Sequence, residues 1–479
     1  MEVSPLLMDH VRSRVSLAPT MLGNYTLDAG GNRIYWRWAY YRFRTLLDGY
    51  LSGRSEDRWV VFSGLRGTGK TTLLAQLYFH LAQQGVPQQN ILYVSMDQVT
   101  RLIGADLNGV VRAYESLMNT SLEDLSGNHF LLVDEAHYDR NWAVAQKAVF
   151  DRTRRVFMIT TGSSALSLQS SSDAARRARK ERLYPLNFPE YMTLKHKVTQ
   201  TRNLKERIEG AIFRSKDAIE AYESLRGMKG EVDRYWSSIK PYEVETFLTV
   251  GTLPFAIPFS EEEDVFGRVL DSLSKIVNSD IPAIQNFDKE TLDKIFNILL
   301  LFAVNGKCSY ESLSQKVKIS RSALSEVLDV LIKSEVIYPI RPYGSVSSGI
   351  SKSPKYKFNA PVVKAALLHL VGKFAHTPEV HGRLLEEAVS ASLFRLRGTE
   401  NWLDFFHDAR EGGADFIVRL SSGEEIVIEV GYGTKGKGQI IRTAKKVRPK
   451  YGVLISENEL SVFPEDNIVS IPKEYMLSI

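Results

Sequence analysis

The chain has 479 residues, more than one hydrophobic core usually serves, which predicts about three domains. With 44% hydrophobic and 24% charged residues it has the composition of a globular protein, not of a disordered or fibrous one. A net charge of +5 is too small at this length to argue for nucleic acid by itself, and the single Cys308 excludes an intramolecular disulfide framework and a thiolate zinc site. The cysteine usage and the absence of a signal-like N-terminus give a reducing cytoplasm as the expected location. No membrane partner is expected, because the longest apolar run, IFNILLLFAV, is too short to span a bilayer.

RIYWRWAYYRFRTLL (residues 33–47) reads as an aromatic, basic helix that either packs on a sheet or stacks on bases. In WVVFSGLRGTGKTTLLAQLYFHL, a β-branched and aromatic run then stops at Gly64 and a helical pattern opens at Lys70. The spacing GxxxxGKT is a P-loop, in which Gly64, Leu65, Arg66, Gly67, Thr68, Gly69, Lys70, Thr71 and Thr72 surround a nucleotide phosphate. Glycines let the backbone amides wrap the phosphate oxygens, Lys70 reaches the β and γ phosphates, and Thr71 ligates Mg2+. ATP and Mg2+ are therefore the expected cofactors.

NILYVSMD supplies a second strand, and NHFLLVDEAHYDRNW a third that ends in Asp134 and Glu135. Beside a P-loop, Asp134 would hold Mg2+ through water and Glu135 would polarise the attacking water as a general base. RVFMITTGSSA is a fourth strand, with Thr161 and Ser163 placed either to sense the γ phosphate or to cap a loop. Strands alternating with helical patterns predict a parallel sheet covered on both faces. Two basic runs, residues 176–182 and 435–450, lie beside segments assigned to chemistry; the plainer reading of each is a solvated helix face. Residues 204–236 read as a helical lid or insertion. The stretch from residue 289 to 359 shows three helical segments and two short strands, the order of a winged helix, with Ser320 at an N-cap before Arg321, Ser322 and Ser325.

At this point the chain resembles the prokaryotic AAA+ ATPases that join an ATPase domain to a winged helix and a C-terminal restriction-endonuclease-like domain. The resemblance is carried by GLRGTGKTTLL, ILYVSMD, LLVDEAHYDRNW, ITTGSSA, LYPLNFPEY, VGTLPFAI, HGRLLEEAV, GADF and IEV. It implies an arginine finger before the YPL segment, for which Arg177 is the nearest match; the glycine that usually precedes it is Arg176 here. Such a finger implies self-association through a subunit interface.

The C-terminal order αβββαβ is that of the PD-(D/E)xK nuclease core, in which carboxylates bind a divalent metal that activates water against a phosphodiester. Asp415 and Glu429 are the expected metal ligands, and Glu386 matches the additional acidic residue of the resemblance. Residue 431 should point with Glu429, where a lysine would orient the nucleophile, but it is glycine. Three accounts stay open: Lys435 or Lys437 reaches back into the site, the GYGTKGKG turn binds phosphate without cutting, or the carboxylates only cap helices and pair with bases. The expected fold class is α/β: a P-loop AAA+ parallel-sheet domain with helical insertion (1–240), a helical lid and winged helix (241–372), and an αβββαβ nuclease-like domain (373–479). The expected function is an ATP-hydrolysing protein that engages DNA, with metal-dependent nuclease activity of the C-terminal domain left open; the alternative is an ATP-operated switch whose nuclease fold is catalytically silent and recruits a partner or binds nucleic acid.

Overall fold

The computed structural model describes residues 3–28, 30–162, 176–306, 309–344 and 353–479, so Ser163 and Cys308 lie outside the described residues. The chain divides into two compact units that do not follow chain order. The first is Met1–Tyr184 together with two later segments, Ser274–Phe287 and Lys333–Glu335; the second is the remainder. Among the described residues no helix is long and apolar enough to cross a membrane.

The first unit is built on five strands: β1 (Trp59–Ser63), β2 (Ile91–Ser95), β3 (His129–Asp134), β4 (Val156–Gly162) and β5 (Arg179–Arg182). They lie in the order β2-β3-β4-β1-β5, and every pairing is parallel. Every residue of β1 to β4 is buried, as expected of a parallel sheet covered on both faces. Side chains alternate between two cores. Trp59 and Val61 pack with Val11, Val110 and Trp142, whereas Val60 and Phe62 pack with Phe43, Leu47 and Leu77. The aromatic, basic segment therefore serves as sheet cover: α1 (Trp38–Leu51) buries Tyr40, Phe43, Leu47 and Tyr50, and Phe43 meets Phe62 edge-on at 4.8 Å. This helix starts at Trp38 and not at Arg33, because Leu27 and Arg33 bridge as a short antiparallel pair.

The basic run at residues 176–182 is not a helix face along its length. Arg179–Arg182 form the edge strand β5, with Arg179 paired to Glu181 and Asp57. Charged side chains on an exposed edge discourage pairing with another chain.

The second unit holds an eight-stranded mixed sheet: β6 (Ile337–Pro342), β7 (Lys355–Phe358), β8 (Leu403–His407), β9 (Phe416–Leu420), β10 (Glu425–Val430), β11 (Tyr451–Ser456), β12 (Ser461–Phe463) and β13 (Ile468–Pro472). Its order is β12-β13-β11-β10-β9-β8-β6-β7. The hairpin of β6 and β7 continues the C-terminal sheet, since β6 pairs parallel with β8 at Arg341↔Phe406. Ahead of β6 run helices Lys289–Asn305, Tyr310–Val317 and Arg321–Lys333, and Ser320 Oγ accepts the Ala323 amide at 3.2 Å. The segment read as a lid is three short helices, Leu204–Phe213, Ala218–Gly227 and Lys229–Ser237, and belongs to this second unit.

Helix α2 (Gly438–Val447) packs on the C-terminal sheet where β11 carries Gly452, and Ile440 and Ile468 fill the space that a side chain there would take. Gly452→Ala is expected to overpack this contact and cost about 1–3 kcal/mol, read as a lower urea midpoint for loss of the second unit.

Candidate functional site

The first site forms where β1 and β3 end. Parallel register brings Phe62 beside Thr161 and Ser95 beside Asp134, so these strands release their loops at one edge. Gly67 and Gly69 both hold φ near +89°, which side-chain-bearing residues rarely adopt. A Cβ at Gly64 would lie 2.7 Å from the Leu183 carbonyl, so the loop approaches the chain just after β5 too closely for any side chain. Lys70, 5% exposed, donates to the carbonyls of Gly64 (2.8 Å) and Leu65 (3.4 Å), and Thr68 Oγ1 donates to Leu65 O at 2.8 Å. The loop thus folds around the Lys70 ammonium. Thr71, near the start of the helix Lys70–Gln83, donates to Asp134 Oδ2 at 2.7 Å, and Thr72 follows it in the same first turn.

Asp134 is buried and fully engaged, receiving the hydroxyls of Thr71, Tyr93 (3.3 Å) and Thr161. Glu135 takes a left-handed backbone, φ 51°, which turns the chain off the strand; its amide donates to Thr161 Oγ1 at 3.2 Å. Burial pushes the Glu135 carboxyl up from its ordinary pKa, against the opposing pull of Lys70 and His137. The structure therefore brings Lys70, Thr71, Asp134, Glu135 and Thr161 together. Arg66 points to Asp280 (3.1 Å), and Arg177 donates from Nε to Asp151 at 3.1 Å. Asp280 and Glu335 were not singled out in sequence. Glu335, with φ 60°, accepts from Ser63 Oγ at the end of β1 and from Arg182 Nε at 3.1 Å.

The second site lies between β9 and β10. Antiparallel register sets Phe416 opposite Ile428, so Asp415 enters the sheet beside Glu429. The two brace each other: the Asp415 amide donates to Glu429 Oε2 (3.2 Å), and the Val430 amide to Asp415 Oδ2 (3.0 Å). Lys435 Nζ stands 2.9 Å from Glu429 Oε1. Its stem crosses the place of the missing side chain, since a Cβ on Gly431 would come within 2.6 Å of Lys435 Cβ and 2.8 Å of its Cγ and Cδ. Lys437 turns away to Glu465 (3.0 Å) and Asp466 (2.5 Å). Between the two lysines considered in sequence, it is Lys435 that reaches Glu429.

Glu386 and Glu387 come from the helix Pro378–Thr399 and meet lysines that sequence reading did not single out. Lys355 and Lys357 of β7 approach Glu386 Oε1 at 2.5 and 3.1 Å, while Lys357 and Lys364 approach Glu387 Oε1 at 3.1 and 2.8 Å. Burial raises the Glu386 carboxyl, yet Lys357 and Lys355 outweigh it and hold the group well below the usual carboxylate range. Asp415 is pushed up to about 6 by burial and the charge of Glu386. Glu429 is pushed up to about 7 by burial and the charge of Asp415, against the pull of Lys435. Among the described residues, no group of three or more His, Cys, Asp or Glu side chains converges as a ready metal cage.

Residues 56–192 match the family described as AAA domain, and residues 242–372 match a domain of unknown function, DUF8612. The uncharacterized protein MJ1637 of Methanocaldococcus jannaschii is 34% identical over 476 residues, which is 99% of this chain and 94% of that protein. The chain belongs to the family of MJ1637. Its first unit contains an AAA domain, a P-loop ATPase module on a parallel five-stranded sheet. An uncharacterized protein of Haemophilus influenzae is 26% identical over 388 residues, 76% of this chain and 82% of that protein. The likeness to a solved chain, Aeropyrum pernix ORC1 in complex with DNA, is low: 14% identity and a TM-score of 0.29 over 69% of this chain and 91% of that one.

Gly431→Ala should push the Lys435 stem aside, because the colliding atom is its Cβ and not a flexible tip. The expected cost is about 1–3 kcal/mol. A crystal structure of the variant should show the contact between Lys435 Nζ and Glu429 broken.

Proposed function

We propose that this protein hydrolyses ATP at the first site and uses the second as a metal-dependent phosphodiesterase site acting on DNA. The observation that carries the second half is the position of Lys435, which fills the space left by Gly431 and faces Glu429 beside Asp415. A glycine at 431 and a lysine four residues on are two parts of one arrangement.

In the ATPase reaction, Lys70 exchanges its carbonyl partners for the β and γ phosphates, and the amides of residues 64–72 close around them. Thr71 and Asp134 are the residues that would hold Mg2+; their hydroxyl and carboxylate already meet at 2.7 Å, a donor set suited to a hard oxygen-seeking cation. When bound, the metal neutralises charge on the phosphate oxygens. Glu135 accepts the proton of the attacking water. Arg177 is the candidate finger toward a second copy of the chain, and self-association is part of this reading.

In the phosphodiesterase reaction, Asp415 and Glu429 are the residues that would hold a divalent metal, a carboxylate pair suited to a hard oxygen-seeking cation. When bound, it lowers the pKa of its water. Lys435 orients that nucleophile, and Glu386, with its lysine partners, lies behind the pair as the additional carboxylate. Residues 1–240, 241–372 and 373–479 are read as ATPase, winged-helix and nuclease-like segments, with the helix from Arg321 placed against DNA. A second reading is a catalytically silent nuclease fold that binds nucleic acid or a partner under ATP control. It is favoured by the lysines that already satisfy Glu386.

Phosphate release with Mg2+ should fall about a hundredfold or more in Lys70→Ala and in Glu135→Gln. Undiminished hydrolysis in Lys70→Ala would remove the ATPase reading. Cleavage of supercoiled, linear or single-stranded DNA with Mg2+ or Mn2+ should vanish in Asp415→Ala and Lys435→Ala while ATP hydrolysis persists. If the wild type cuts none of these DNAs with either metal, the silent reading replaces the first.

A further inference from the structure

Behind Glu135 lies a chain of buried polar groups that the P-loop reading does not use. Glu135 Oε2 stands 3.4 Å from His137 Nδ1, and the other ring nitrogen, Nε2, faces Asp280 Oδ1 at 3.9 Å. Asp280 is 1% exposed and ends the segment Ile276–Asp280, which reaches the first unit from far along the sequence. The same carboxylate accepts from Tyr138 Oη at 2.9 Å and from Arg66 Nη1 at 3.1 Å. Arg66 belongs to the phosphate-binding loop, and Tyr138 to the turn that follows the catalytic glutamate. One buried carboxylate therefore ties the loop that grips phosphate to the turn that carries the base.

Stability alone does not account for such a cluster. A buried carboxylate such as Asp280 loses hydration that its partly exposed guanidinium partner only roughly repays, and apolar residues of like volume often do as well or better. Geometry at a base is different, because its carboxylate has to stay within hydrogen-bond reach of one water in one orientation. A base held by a second group, itself held by a third, is a recurring way to meet that demand.

We propose that Asp280 is a positioning residue for ATP hydrolysis, acting through His137 on Glu135 and through Arg66 on the phosphate-binding loop. It fixes the imidazole, and the imidazole fixes the Glu135 carboxylate. Asp280 lies within residues 242–372, which match DUF8612, so a segment outside the AAA match completes the ATPase site. The inference rests on the ATPase reading above.

The test is a double-mutant cycle on the full chain, with ATP turnover and binding of a fluorescent ATP analogue measured side by side. Asp280→Asn and His137→Gln are each expected to lower kcat about tenfold or more, a fraction of what a general base contributes. Analogue affinity should fall by less than kcat in both. The double variant should be no slower than the slower single one, because residues acting in series do not add. Multiplied effects, or an unchanged kcat in Asp280→Asn, overturn the relay. Should Asp280→Asn fail to fold, Tyr138→Phe removes one donor to the same carboxylate. It should lower kcat by a smaller factor, non-additively with His137→Gln, and unchanged turnover in both Tyr138→Phe and His137→Gln overturns the proposal. Wild-type protein without ATP turnover would remove the ATPase reading itself; wild-type turnover lost in Lys70→Ala but untouched in Asp280→Asn removes only the relay.

Discussion

Charge taken out of water has to be matched by charge or hydrogen bonds, or the group neutralises itself. That constraint organises both sites. In the first unit, Asp134 is matched by three hydroxyls, Asp280 by Arg66 and Tyr138, and Glu335 by Ser63 and Arg182. In the second, Glu386 and Glu387 are matched by Lys355, Lys357 and Lys364, and Glu429 by Lys435. Asp280, Glu335, Glu386 and Glu387 are each held by partners from distant stretches of chain. Where the matching is weakest the carboxyls rise toward neutrality, as Asp415 does under burial and the charge of Glu386, and Glu429 under burial and the charge of Asp415.

The two units meet this constraint in different ways. The loop before the helix turns its own carbonyls onto Lys70, so the buried ammonium is satisfied by the loop's own backbone. The C-terminal pair relies on a glycine to make room for a lysine from the next loop. Lys435 reaches Glu429 from that loop on a long stem, past a turn at Gly433 with a positive φ.

What the sequence made legible follows from distance along the chain. The P-loop, the acidic strand and four strands of the parallel sheet are written in short spacings and in strands alternating with helices. β5 was hidden because a charged edge strand has the composition of a solvated helix. Lys435 was within reach of sequence reasoning, because the missing residue at 431 and the glycines beyond it are local. Asp280, Glu335 and Lys355 to Lys364 were not. Their partners lie 142 residues away for Tyr138 and Asp280, and 272 for Ser63 and Glu335, and a lone acidic residue in a helical stretch carries no mark of the pocket it will enter. The division into two units, each made of separated segments, was hidden for the same reason.

The central claim is that Asp134 in the first site and the Asp415 and Glu429 pair in the second would each hold a divalent cation. Equilibrium dialysis against Mn2+ tests it most directly, on wild type, Asp415→Asn and Lys70→Ala, with and without a non-hydrolysable ATP analogue. The account predicts one manganese bound without nucleotide and lost in Asp415→Asn, and a second that appears only with the analogue and is lost in Lys70→Ala. Manganese binding that neither substitution alters, or none under either condition, would contradict it.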